Sequence, residues 1–227
     1  SGEEMGRGML ALVVSPEGKP WRERFIFDFV LNANPDGNYH GWHQYNVRDW
    51  RAHNYADRVD RSWHHEFVPC LRGEPGIYSR ETVAIRSWLL ASRPAFYISL
   101  HSWEGHDGNP GAFYTDPASL PPRFATAVEA LNEVATGATA EMGRRFIGFP
   151  DSNASGPPHL GHFLMEKEIA LAYLPEGNYA MGKAALQALG RRLLTGWLGH
   201  PALDFTAFGG ERWERVAGDR SAKAVLP

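Results

Sequence analysis

The stretch Pro94-Ala95-Phe96-Tyr97-Ile98-Ser99-Leu100-His101-Ser102 decides how the chain is read. A short aromatic and aliphatic run after a proline predicts a buried strand. In an open α/β sheet such a strand delivers its last residues to the carboxyl edge, where ligands bind. His101 is therefore expected at a position that suits a metal ligand or a catalytic base. A histidine that simply caps the strand end fits the same local pattern. The following Trp103-Glu104-Gly105-His106-Asp107-Gly108-Asn109-Pro110-Gly111 is polar and Gly-rich, and predicts a loop.

Working outward, residues 24–31 (Arg-Phe-Ile-Phe-Asp-Phe-Val-Leu) predict a second strand, ending at the turn cluster Asn34-Pro35-Asp36-Gly37. Residues 112–117 predict a short strand, and Ile169 to Leu174 a buried one closed by Pro175-Glu176-Gly177-Asn178. Helices are expected after the acidic pair Glu3-Glu4, since carboxylates favour a helix N-terminus, and over residues 79–92, 120–142, 163–168 and 183–198. Residues 38–76 have no periodicity and are rich in Tyr, Trp, His, Asn, Arg and Asp. A loop of that length inside a compact domain is usually functional. Residues 148–158 are expected to be loop as well. The resulting order predicts an α/β fold: a mixed, mostly parallel open sheet with helices on both faces. One catalytic domain over residues 1–198 and a C-terminal tail over 199–227 are expected.

Composition narrows the function. The 227 residues carry a net charge of −3, so no basic surplus argues for nucleic acid or an anionic membrane. The longest apolar runs are about one strand long, too short to span a bilayer. The single cysteine, Cys70, makes no disulfide framework and leans towards a cytoplasmic protein.

Three predicted strands end in polar clusters, at Asn34–Gly37, His101-Ser102 and Glu176–Asn178, and these ends are expected to converge on one crevice. With the Glu3-Glu4 pair at a helix start, the donor types suit a zinc hydrolase. Zinc takes N and O ligands and keeps one position for water, on which a second carboxylate acts as general base.

Four segments together resemble the zinc carboxypeptidase (funnelin) family over residues 1 to about 198. Phe25 to Gly37 resembles the family strand followed by Asn-Pro-Asp-Gly. Tyr78-Ser-Arg-Glu-Thr-Val-Ala-Ile-Arg-Ser-Trp88 resembles its helix opened by a Glu-Thr motif. Tyr97-Ile-Ser-Leu-His101-Ser102 resembles the strand carrying the third zinc ligand, and Ala172-Tyr-Leu-Pro-Glu176-Gly-Asn178 the strand ending in the catalytic glutamate. Ser1-Gly2-Glu3-Glu4 resembles the His-Pro-Gly-Glu form of the cytosolic-type branch, with Glu3 in the ligand position, Glu4 in the alternative register, and the partner histidine expected just before Ser1. The family's first strands would also lie upstream.

The resemblance implies one zinc ion per chain, held by Glu3 and His101, with Glu176 as general base. Val47-Arg48-Asp49-Trp50-Arg51 is similar to the stretch whose arginine, here Arg48, polarises the scissile carbonyl. Val59-Asp60-Arg61-Ser62-Trp63 is similar to the Asn-Arg-x-Trp clamp for a substrate's terminal carboxylate, with Asp60 in place of Asn. Arg61, Asp60, Arg51 and Ser102 are thus the expected substrate-binding residues. The implied partner is a peptide or small amide with a free carboxylate, without nucleic acid or membrane. Two alternatives stay open. One is an amidase or deacylase on small N-acyl amino acids or peptidoglycan peptides, which Asp60 favours. The other is a binding domain without zinc.

Overall fold

The computed structural model describes residues 2–33, 68–73, 80–104, 106–151 and 160–216. Arg48, Arg51, Asp60 and Arg61 and the Asn34–Gly37 turn lie outside these residues.

The chain opens with helix α1 (Gly2–Val14), then a 3-10 turn and the single helical turn α2 (Lys19–Arg22). Helix α3 (Arg80–Ser92) leads into strands β1 (Phe96–Ile98) and β2 (His101–Trp103). Strand β3 (Gly111–Thr115), helix α4 (Pro122–Ala140), strand β4 (Ile147–Asp151), helix α5 (Leu160–Glu166), strand β5 (Leu171–Asn178) and helix α6 (Lys183–Gly199) follow. The sheet order is β1-β5-β3-β4, with β2 also paired to β5. β1 and β2 run parallel to β5, β3 runs antiparallel to it, and β4 runs parallel to β3. This is the mixed, mostly parallel open sheet of an α/β fold.

β1 and β2 are two pieces of one strand. Phe96 faces Leu171 and His101 faces Glu176 in a single unbroken register, bridged by Ser99 N donating to Tyr173 O at 3.0 Å. The strand thus runs through Trp103, where the sequence predicts loop to have begun.

Helices cover both faces. On one, Tyr173 packs its ring 5.5 Å from Trp197 of α6 and donates to Asn132 Oδ1 of α4 at 2.5 Å. On the other, Ala172 lies against Gly161 of α5, where an added Cβ would sit 3.2 Å from the Ala172 methyl. α1 lies across α6 at backbone-contact range. A Cβ on Gly8 would fall 2.0 Å from Gln187 O, and one on Gly190 would fall 2.1 Å from Met5 O. Glycine at both positions lets the helices approach this closely.

Four differences from the sequence expectation have physical causes. Residues 25–30 keep the two-residue side-chain period, with Phe25, Phe27 and Phe29 half-buried and Ile26 94% exposed, but belong to no strand of the described sheet. Strand β4 forms where a loop is expected. Its Gly148 and Pro150 read as punctuation, yet among the described residues β4 pairs with β3 alone, and a sheet edge tolerates a proline. β5 continues through Pro175, opposite Ala112, so Glu176 is a strand residue rather than the start of a turn. Finally, the boundary expected at residue 198 is not where packing ends. Leu203, Phe205 and Phe208 join the core beneath α6, and Trp213 is 1% exposed and donates to Pro94 O at 2.9 Å. Val216, the last described residue, is itself buried in the packing.

Candidate active site

The parallel pairing of β2 with β5 places His101 directly opposite Glu176, Ser102 opposite Gly177, and Trp103 opposite Asn178. Side chains of paired residues stand on the same face of a sheet, and alternate residues share a face. His101, Trp103, Glu176 and Asn178 therefore form one row at the carboxyl edge. His101 Nδ1 lies 3.9 Å from Glu176 Oε1. The two strand ends that the sequence expects to converge do so. The third, at Asn34–Gly37, lies outside the described residues.

Glu176 is 5% exposed, and its Oε2 has no hydrogen-bond partner among the described residues. Burial pushes its carboxyl up to about 8, because a low-dielectric surrounding disfavours the charged form. A carboxyl of this kind is strongly basic for its type and awaits a donor such as water or a cation.

His101 is fixed by its own strand. Its Nε2 is 2.9 Å from Ser99 Oγ. Burial raises the pKa of the Tyr97 phenol, and the nearby Ser99 side chain offsets part of that rise. Tyr97, Ser99 and His101 alternate along one face, so three polar side chains follow one another along the strand to the imidazole.

The start of α1 presses on this edge. Gly2 N donates to Ser102 Oγ at 2.7 Å, so Ser102 caps one of the open amides at the helix start. A Cβ on Gly2 would stand 2.5 Å from Leu100 O. Ser102, expected to bind substrate, accepts here in a bond that positions α1. Glu3 accepts from Arg7 Nη2 at 2.6 Å on the exposed side of the helix. Glu4 accepts from Gln187 Nε2 of α6 at 2.6 Å.

The sequence reading misses a set of groups just beyond Glu176. Trp103 Nε1 and Asn178 Nδ2 both donate to Asn109 O, at 3.0 and 3.2 Å. Asn109 in turn donates to His106 O and accepts from Arg145 N. Its signal in the sequence is faint: an asparagine before Pro-Gly in a segment already read as loop.

A zinc ion is what the resemblance implies, and the donors can be tested for it. The orphaned Glu176 oxygen and the adjacent, oriented imidazole of His101 fit a site that activates water beside a metal. Glu3 starts the helix that abuts Leu100 and Ser102. Its pairing with Arg7 is a solvent-screened i,i+4 contact of the kind that is readily given up. Among the described residues there is no group of three or more His, Cys, Asp or Glu side chains able to hold a metal, so Glu3 and His101 do not make a complete metal site with any described third donor. No helix among the described residues is long and apolar enough to cross a membrane.

No family model, curated protein or solved structure matches the chain.

Proposed function

We propose that the chain is a zinc-dependent metallopeptidase of the carboxypeptidase type, hydrolysing a C-terminal peptide bond. The observation that carries this reading is the buried carboxyl of Glu176, its Oε2 without a hydrogen-bond partner among the described residues, directly across a parallel ladder from His101. A buried carboxyl raised to about 8 is matched to general-base work near neutrality.

In this reading His101 and Glu3 would hold the metal, together with a donor outside the described residues. Bound zinc would supply Lewis acidity and make water a better nucleophile. Glu176 accepts the proton of the attacking water and later delivers it to the leaving amine. The carbonyl carbon becomes tetrahedral, its C–N bond breaks, and the peptide is released as a shorter acid and a free amino acid. Ser99 holds the His101 ring in register with Glu176. By resemblance, Arg48 stabilises the oxyanion, Arg61 clamps the terminal carboxylate in the two-pronged way guanidinium allows, and Asp60 and Arg51 are further substrate-binding residues. The single Cys70 and the Gly2-Glu3 pair lead us to place the protein in the cytoplasm.

The test is hydrolysis of an N-acyl dipeptide by the zinc-loaded protein. Glu176→Gln should lower the rate by roughly 10²–10⁴-fold, the usual worth of a positioned general base. Full activity in that variant overturns the mechanism. Asp60 favours a second reading, an amidase or deacylase on small N-acyl amino acids, because an acid beside the clamp repels a free carboxylate. Equal rates on a peptide and on its C-terminal amide would select that reading. Zinc absent from the purified protein, with no activity gained on adding it, would leave a binding domain.

A further inference from the structure

Beyond Glu176 the sheet face carries four rings in mutual contact. Trp103 lies 4.8 Å from His106 and 5.1 Å from Phe149 between ring centres. His106 lies 5.4 Å from Phe149, and Phe149 stacks on Phe113 at 5.2 Å. Such a cluster would be ordinary in a core, but this one is open: Phe113 is 42% exposed, His106 is exposed, and Trp103 and Phe149 are only half-buried. Phe113 and Phe149 are cross-strand partners in β3 and β4, so their rings stand on the same face as one another.

The cluster is continuous with the candidate site. Trp103 is two residues beyond His101 on the same face. Its indole reaches across β5 to β3, where a Cβ on Gly111 would fall 2.3 Å from Trp103 Cη2. Gly111 is the antiparallel partner of Glu176. Cβ positions of paired residues lie about 5 Å apart, so the indole edge is within one side chain of Glu176.

The cluster is also held in place at a cost. His106 and Asp107 both have left-handed backbones, with φ of 51° and 55°, followed by Gly108 at 75°. Conformations of this kind persist only where surrounding contacts over-determine them, and they gather at ligand sites. Here Arg144 Nη1 donates to Gly108 O at 2.7 Å, and Asn109 ties the loop to Trp103, Asn178 and Arg145.

We infer that Trp103, His106, Phe113 and Phe149 form a shelf that receives a large apolar or aromatic side chain of the substrate next to the bond cleaved by the water that Glu176 activates. This rests on the hydrolase reading above and names its substrate class. The chemistry favours an apolar ligand over a sugar ring. The indole N–H is already committed to Asn109 O, and the carbonyl, amide oxygen and amide nitrogen of Asn109 are committed too, so the shelf offers rings but few groups to read hydroxyls.

Two measurements test it. In the first, N-acyl dipeptides carrying Phe or Ala on either side of the scissile bond are compared as kcat/KM. Wild type should prefer Phe by about tenfold or more, and Phe113→Ala and His106→Ala should each lower that ratio about fivefold, the range of a single ring contact. In the second, N-acetyl-phenylalaninamide is titrated into the protein while the Trp103 indole N–H and His106 ring signals are followed by NMR. Both should shift, and N-acetylglucosamine should leave them in place. Shifts with the aromatic probe but hydrolysis of no peptide keep the shelf and sink the hydrolase reading. Equal hydrolysis of Phe and Ala substrates, with no shift at either ring, sinks the shelf and keeps the hydrolase. Shifts with the sugar alone overturn the apolar assignment.

Discussion

Glu176 and His101 face each other across a parallel ladder, with Nδ1 3.9 Å from Oε1, although neither is near the other in sequence. The register fixes this pairing. Phe96, Tyr97 and Ile98 pair in turn with Leu171, Ala172 and Tyr173, and the same offset carried forward delivers His101 to Glu176. The hydrophobic half of each strand thus aligns the polar half. A one-residue slip would turn every side chain of the strand to the opposite face, which the buried residues on both sides of the sheet forbid.

The first consequence concerns stability against pH. Burial raises the folded Glu176 carboxyl to about 8 from an ordinary value of 4.5. The folded state therefore keeps its proton over a window in which the unfolded chain has lost it. The stability this supplies is complete below about 4.5 and is lost as pH rises through about 8, at no more than ~1.4 kcal/mol per pH unit. Glu176→Gln lacks this dependence. Urea denaturation of metal-free protein between about pH 5 and about pH 8 should show wild type losing stability relative to the variant as pH rises. Parallel curves would mean that the carboxyl is not held protonated.

Ser99 gives a second consequence. Its hydroxyl is 2.9 Å from His101 Nε2, and the buried Tyr97 hydroxyl stands behind it. Partners of this kind fix the orientation of a ligating imidazole, and their loss typically weakens metal binding by about 10–100-fold. Ser99→Ala should lower zinc affinity in that range, measured by competition with a chromogenic chelator, with the fold retained. Unchanged affinity would remove Ser99 from any role in holding the ring.

How much of this was legible in the sequence depends on the range of the interactions that decide it. The apolar runs ending at His101 and at Glu176 are local patterns, and both strands form where those patterns lie. The period-two alternation of Phe25, Phe27 and Phe29 was equally local, and it survives in their half-burial. Pairing is not local, however, and that segment joins no strand of the described sheet. Pro150 and Pro175 misled for the same reason. A proline ends a strand only where a neighbour needs its N–H, and neighbours are set by tertiary structure. The His101–Glu176 pair was expected from resemblance and is carried by register. The Trp103–Asn109–Asn178 tie was invisible because it joins three segments by one carbonyl oxygen. Arg48, Arg51, Asp60 and Arg61 lie outside the described residues, so the substrate clamp remains a reading of sequence alone.

The residues after α6 were expected to be a tail, and their packing predicts otherwise for stability. Trp213 is buried in one apolar cluster with Leu89, Leu164 and Ile169 and donates to Pro94 O, just before β1. Gly209 N also donates to Ile169 O at 2.8 Å, just before β5. The segment thus braces the entry to both strands that carry the site. Trp213→Ala should cost about 3–5 kcal/mol, the range for a buried Trp truncated to Ala. A chain ending at residue 198 should fail to fold cooperatively. Circular dichroism melts of both proteins check this. A truncated chain melting like wild type would restore the boundary at 198.

The close crossing of α1 and α6 sets where Glu3 and Glu4 stand relative to His101, and it rests on two glycines. A Cβ at residue 190 would lie 2.1 Å from Met5 O and 2.8 Å from Met5 C, both backbone atoms that no rotamer change can move aside. In an exposed helix Gly→Ala gains up to about 1 kcal/mol from propensity. At Gly190 that gain is opposed by overpacking, typically about 1–3 kcal/mol and more when backbone must shift. Gly190→Ala should therefore destabilise the protein, and α1 should be displaced outward. Two bonds report that displacement: Gly2 N to Ser102 Oγ, and Gln187 Nε2 to the Glu4 carboxylate. Amide exchange at Gly2 and at the first turn of α1 should accelerate in the variant, and zinc affinity should fall if Glu3 is a ligand. By contrast, Gly137→Ala in α4, where an added Cβ meets nothing within 4 Å, should be neutral or stabilising. If the two alanine variants melt alike, the crossing is looser than the 2.1 Å approach implies.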